Sequence, residues 1–112
     1  MRFLYLDFDD LHLDIDALET RIDEIASMTQ TDLELLEVLS TERGYHIVVT
    51  AHWTQQGSEA PKQLEPTEIV CLQLLLGSDP KREAFNLQRA HVLGDAPAFW
   101  RDRWNVLHSE KL

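Results

Sequence analysis

Two aspartates one residue apart, Asp7 and Asp9, close the apolar stretch RFLYLDFDD at residues 2–10. In an extended chain successive side chains point to opposite faces. Leu4, Leu6 and Phe8 then share one face, and Tyr5, Asp7 and Asp9 share the other. Both acids are ionised at neutral pH and repel each other unless a cation or a hydrogen-bond network stands between them. Hard divalent ions take such oxygen ligands, and Mg²⁺ typically combines one or two protein carboxylates with substrate phosphates. The same stretch also reads as an edge strand that runs into an acidic turn at Asp9-Asp10. A second group lies at Ser40-Thr41-Glu42-Arg43-Gly44, just ahead of His46. Arg43 offers a forked cation, and the bare Gly44 backbone lets a phosphate come close.

The elements that must position these groups follow from periodicity. Residues 2–10 form the first strand. Leu11, Ile15, Leu18, Ile22 and Ile25 recur at helical spacing, which predicts a helix over Asp14–Met28 with acids in its first turn. Thr31-x-x-Glu34 has the form of a capping box, but the TERG turn at 41–44 and the alternating run Tyr45–Trp53 favour a hairpin, with a strand over 33–40. In that hairpin Tyr45, Ile47, Val49, Ala51 and Trp53 face one side, and His46, Val48, Thr50 and His52 the other. The polar segment 54–64 is a loop, the place where disorder is expected. Pro66 opens a helix that runs to about Leu76 and ends at Gly77. Asp79 as N-cap and Pro80 at the first helical position start a further helical turn. Phe85–His91 reads as a strand, although it also continues the helix acceptably. Trp104–His108 reads as a last strand.

The expected order is βαββαβ plus an extra C-terminal strand, an α+β fold in which helices cover one face of an antiparallel sheet. This is the RRM-like or ferredoxin-like pattern, with the other face open to ligands. First and third strands are central neighbours in such a sheet, so His46 is expected on the same face as Asp7 and Asp9.

The pairing of LDFD (6–9) with STERGYHIVV (40–49) resembles the first two motifs of archaeo-eukaryotic primases, the primase-polymerases of archaea, eukaryotes and many plasmids and viruses. Mobile-element members carry a stretch similar to LLGSDPKREAFNLQRA (75–90) and a strand similar to VLHSEK (106–111). The resemblance implies that Asp7 and Asp9 hold Mg²⁺ or Mn²⁺ and that His46 contacts the phosphates of an incoming nucleotide. It extends nucleotide binding to Ser40, Arg43 and Gly44, with Arg82 and Arg89 as further phosphate-neutralising groups. Metal would then bridge phosphates and activate a 3′-hydroxyl for nucleotidyl transfer. Where the family carries a third carboxylate this chain has Asn86, a weak neutral ligand, unless Asp10 or Asp79 substitutes. The five histidines and one cysteine are too scattered for the zinc-binding subdomain many such primases add.

Composition limits the partners. The 112 residues suit a single domain, 1–112, and no apolar run reaches the length of a membrane span. Lone Cys71 excludes an internal disulfide, fits a reducing cytoplasm and reads as a core thiol. The net charge of −10 is lopsided: residues 1–40 hold eleven acids against Arg2 and Arg21, while Lys81, Arg82, Arg89, Arg101 and Arg103 lie in the second half. Tight DNA binding by bulk charge is therefore disfavoured, and a local basic surface is allowed. Trp53, Trp100 and Trp104 are candidates for base stacking or for the core, and Phe99-Trp100 for a homodimer surface. The expected partners are nucleotides and single-stranded or primer-template DNA, with a homo-oligomer or a replication partner protein. The competing reading is a non-catalytic acidic interaction or oligomerisation module on the same scaffold. A DxD phosphatase fits less well, because it needs a parallel sheet and a downstream lysine.

Overall fold

A computed structural model describes residues 2–10, 12–54, 63–92 and 105. Its element order is β1 (Arg2–Phe8), α1 (Ile15–Thr29), β2 (Thr31–Ser40), β3 (Tyr45–Trp53), α2 (Pro66–Leu75) and α3 (Pro80–Val92). The fold is α+β, with a three-stranded antiparallel sheet ordered β1-β3-β2 among the described residues. No helix among these residues is long and apolar enough to cross a membrane.

One sheet face is the core. Leu4 lies opposite Val49 and Leu6 opposite Ile47, and these four, with Ala51, are fully buried. Leu18, Ile22 and Ile25 of α1 and Ile69, Val70, Leu72 and Leu76 from α2 and its C-cap join them in one apolar cluster. The helical stripe predicted for α1 is thus buried over its second half, whereas Ile15 is exposed and Leu11 lies outside the described residues. Asp14 caps α1 by accepting the Ala17 N–H at 3.1 Å. The hairpin between β2 and β3 closes at Thr41–Gly44, with Thr41 N–H donating to the Gly44 carbonyl at 2.8 Å and Gly44 N–H to Thr41 Oγ1 at 3.0 Å. A β-bulge at Leu35/Glu37 keeps Val38 on the core side.

Three expectations need correction. Phe85–His91 is helical, the body of α3, because Asp79 caps and Pro80 opens a helix that Glu83, Gln88, Arg89 and Ala90 sustain well. β1 neighbours β3 as expected, but among the described residues it is an edge strand of the sheet rather than a central one. Cys71 is exposed, since α2 buries Ile69, Val70, Leu72 and Gln73 and turns residue 71 outward. The expected strand at 104–108, Phe99-Trp100 and most of the polar loop at 54–64 lie outside the described residues, apart from Thr54, Gln63, Leu64 and Asn105. Trp53 is partly buried and packs against the core.

Candidate functional site

An edge strand leaves a row of backbone donors and acceptors without strand partners. On the outer edge of β1 these groups are met by the α2–α3 corner. Tyr5 N–H donates to Gln73 Oε1 at 2.9 Å and Asp7 N–H to Ser78 Oγ at 3.0 Å. The Tyr5 carbonyl accepts from an Arg82 guanidinium nitrogen at 3.1 Å, and the Asp7 carbonyl from Asp79 N–H at 2.9 Å. Polar side chains thus stand where a fourth strand would pair.

These side chains converge on Glu83, which is fully buried. Its carboxylate accepts from Gln73 Nε2, from Ser78 Oγ at 2.7 Å, from Arg82 at 2.9 Å and from Asn86 Nδ2 at 3.2 Å. Asn105 extends the network, donating to Gln73 Oε1 at 2.8 Å and accepting from Asn86 at 3.2 Å. A buried carboxylate is tolerable only when its lone pairs are satisfied, and here a guanidinium supplies the counter-charge. The corner turns on Gly77, whose φ of +99° suits glycine and whose Cα faces the Phe8 ring. The network sets the height and direction of β1 at Asp7.

Beyond that point β1 opens into a cleft of about 700 Å³. Asp7, Phe8 and Asp9 form one wall and the turn residues Thr41–Gly44 a second. Asp79, just ahead of α3, and Lys81, Arg82, Phe85 and Arg89, spread along α3, form the third. Four acids and four bases therefore line one concavity: Asp7, Asp9, Glu42 and Asp79 against Arg43, Lys81, Arg82 and Arg89. Asp7 and His46 are register partners on the sheet face away from the core. His46 Nε2 lies 3.5 Å from Asp7 Oδ1, a contact that becomes an ion pair when the imidazole is protonated.

The sequence-derived residues divide clearly. Asp7, Asp9, Arg43, Gly44, Arg82 and Arg89 all meet at the cleft. His46 is buried behind Asp7 and is not one of the lining residues, so it buttresses the carboxylate from the sheet side. Ser40 is exposed at the end of β2, on the core-side register with Tyr45, and does not line the cleft. Gly44 has a structural reason for lacking a side chain: a Cβ there would stand 1.9 Å from the Phe8 carbonyl oxygen. Arg82 lines the cleft but also ties Glu83 to the β1 edge. Arg89 is exposed and donates to Asn86 Oδ1 at 3.0 Å.

Asn86 does not occupy the position expected of it. It is fully buried among Glu83, Arg89 and Asn105 and is not a lining residue of the cleft. The helical rather than extended conformation of 85–91 turns it into the polar network. Asp79 is the third aspartate at the cleft, with Oδ1 accepting the Lys81 N–H at 3.1 Å. Asp10 is engaged locally, its Oδ1 accepting the His12 N–H at 2.9 Å. Among the described residues no three His, Cys, Asp or Glu side chains gather closely enough to hold a metal by themselves. The donor set fits an ion shared between one or two carboxylates and phosphate oxygens, the arrangement Mg²⁺ favours, better than an all-protein cage.

Lys81 and Phe85 also line this site, although a strand over 85–91 does not bring them there. Their signal is the spacing Lys81, Phe85, Arg89, which places all three on one helix face once the segment is recognised as helical. Glu83 carries no such signal, because a buried acid and a surface acid look alike in sequence. Neither family models, curated proteins nor solved structures yield a match to this chain.

Proposed function

We propose that the cleft binds the phosphates of a nucleotide together with a divalent ion, and that the chain is a primase-polymerase-like nucleotide-binding domain. The observation that carries this reading is the meeting of Asp7 and Asp9 with Arg43, Lys81 and Arg89 in one concavity. Carboxylates alone would repel a polyphosphate, and cations alone would bind any anion. The mixed set selects an anion that brings its own metal. In this reading Asp7 and Asp9 bind Mg²⁺ or Mn²⁺, His46 holds Asp7 in place, and the exposed cations neutralise phosphate charge. A bound ion supplies Lewis-acid stabilisation of a phosphoryl group under attack. Nucleotidyl transfer to a DNA primer is the corresponding activity, and a replication role follows from the motif resemblance.

Calorimetric titration of the chain with an equimolar Mn²⁺–dNTP mixture tests the proposal. Saturable binding in the wild type, lost in Asp7→Asn at unchanged melting temperature, is the expected result. Equal heats in both proteins would overturn the assignment of Asp7.

A second reading has one observation in its favour. Phe3, Leu36 and Leu39 are exposed, with Phe3 and Leu39 on the sheet face opposite the core, as an oligomerisation module requires. Sedimentation velocity decides it: a concentration-dependent dimer abolished by Leu39→Glu supports the module, and a monomer at all concentrations removes it.

A further inference from the structure

We infer that Phe85 is the platform on which the base of the bound nucleotide stacks, an inference that rests on the phosphate-binding reading of the cleft. Phe85 is 59% exposed, the second most exposed large apolar side chain among the described residues, yet it lines a cleft otherwise walled largely by charge. It belongs to α3, one turn from Lys81 on one side and one turn from Arg89 on the other. Four residues of helix rise about 6 Å, so the ring stands between two cations on a rigid element.

An exposed phenyl ring does not stabilise the folded chain, and burying it in the core would have been the simpler use of a phenylalanine. What it offers is a flat apolar face beside anion-binding groups. A nucleotide is the complementary object, with a π-face at one end and phosphates at the other. A free polyphosphate satisfies the cations and leaves the ring wet, and an apolar ligand covers the ring and leaves the cations unanswered. Phenylalanine carries no hydrogen-bond donor or acceptor on its ring, so stacking on it accepts purines and pyrimidines alike. The site should therefore be permissive in base identity, with purines favoured modestly by their larger stacking area.

The test compares Mn²⁺–ATP, Mn²⁺–dTTP and Mn²⁺–tripolyphosphate on the full chain by calorimetry, for wild type, Phe85→Ala and Phe85→Trp. The wild type should bind both nucleotides more tightly than tripolyphosphate. Phe85→Ala should weaken both nucleotides by about 5- to 150-fold, the range spanned by stacking one base, while tripolyphosphate affinity stays unchanged. Phe85→Trp should retain nucleotide affinity or improve it. Equal losses for nucleotide and tripolyphosphate, or no loss for either, would overturn the role of Phe85 while leaving the phosphate site standing. Wild-type protein that binds none of the three ligands removes the phosphate site and the inference together.

Discussion

Glu83→Ala is the most informative perturbation of the scaffold that holds the cleft. The substitution removes the acceptor of four donors, Gln73, Ser78, Arg82 and Asn86, at a side chain with no solvent exposure. It also removes the carboxylate paired with the Arg82 guanidinium, which is only 7% exposed. Deleting one partner of a buried ion pair costs about 3–5 kcal/mol, because the remaining charge stays desolvated. For a domain of this size each kcal/mol lowers the melting temperature by about 4 °C, so a fall of roughly 12–20 °C is expected. Glu83→Gln keeps the volume and one oxygen but turns an amide N–H₂ toward donors, so it should lose about 1–3 kcal/mol. Urea unfolding followed by tryptophan fluorescence and by circular dichroism measures both variants, with coincident transitions checking two-state behaviour. Unfolding free energies within about 0.5 kcal/mol of wild type for both variants would refute the role of this network in holding β1.

Four further variants test the same geometry. Asn86→Asp, which the sequence suggests as a repair of a missing metal ligand, should instead lower stability by about 3 kcal/mol in urea unfolding, since it sets a second buried carboxylate against Glu83. The same protein should gain no primer-extension activity. Gly44→Ala should cost about 3 kcal/mol or more by the same measurement, because its Cβ would stand 1.9 Å from the Phe8 carbonyl oxygen and 2.9 Å from Asp10 N, both backbone atoms. Asp14→Ala should cost about 1 kcal/mol through loss of the α1 cap, read as a small drop in melting temperature. Arg43→Ala, at an exposed turn, should leave the melting temperature alone and weaken Mn²⁺–dNTP binding severalfold, with a shallower salt dependence.

The parts of the fold legible in the sequence are those whose burial is apolar. Leu4 and Leu6 against Ile47 and Val49, and the Leu18, Ile22, Ile25 stripe, were readable because hydrophobic spacing reports directly on them. Residues 80–92 were not readable in this way, because α3 inverts the usual rule. It buries Arg82, Glu83 and Asn86 and exposes Phe85 and Leu87, so its hydrophobic pattern points to the wrong face and alternation passes for a strand. The N-terminal signal at Asp79-Pro80 was correct and outweighs that alternation. At the cleft, Asp7 on β1 and Arg43 in the turn follow from register and hairpin position, whereas Lys81 and Phe85 depend on the helix. Asn86 lies in the buried network and not at the cleft for the same reason.

In the proposed function the mouth of β1, and not the acidic surface of α1, receives the metal and its nucleotide. Paramagnetic broadening of backbone amide signals by substoichiometric Mn²⁺, recorded with and without ATP, tests it most directly. The prediction is nucleotide-enhanced broadening centred on Asp7–Asp9, Thr41–Gly44 and Asp79–Arg82, with Asp16, Glu19, Asp23 and Glu24 on α1 untouched by the addition of ATP. Broadening centred on α1, or a pattern around Asp7–Asp9 indifferent to nucleotide, would contradict it.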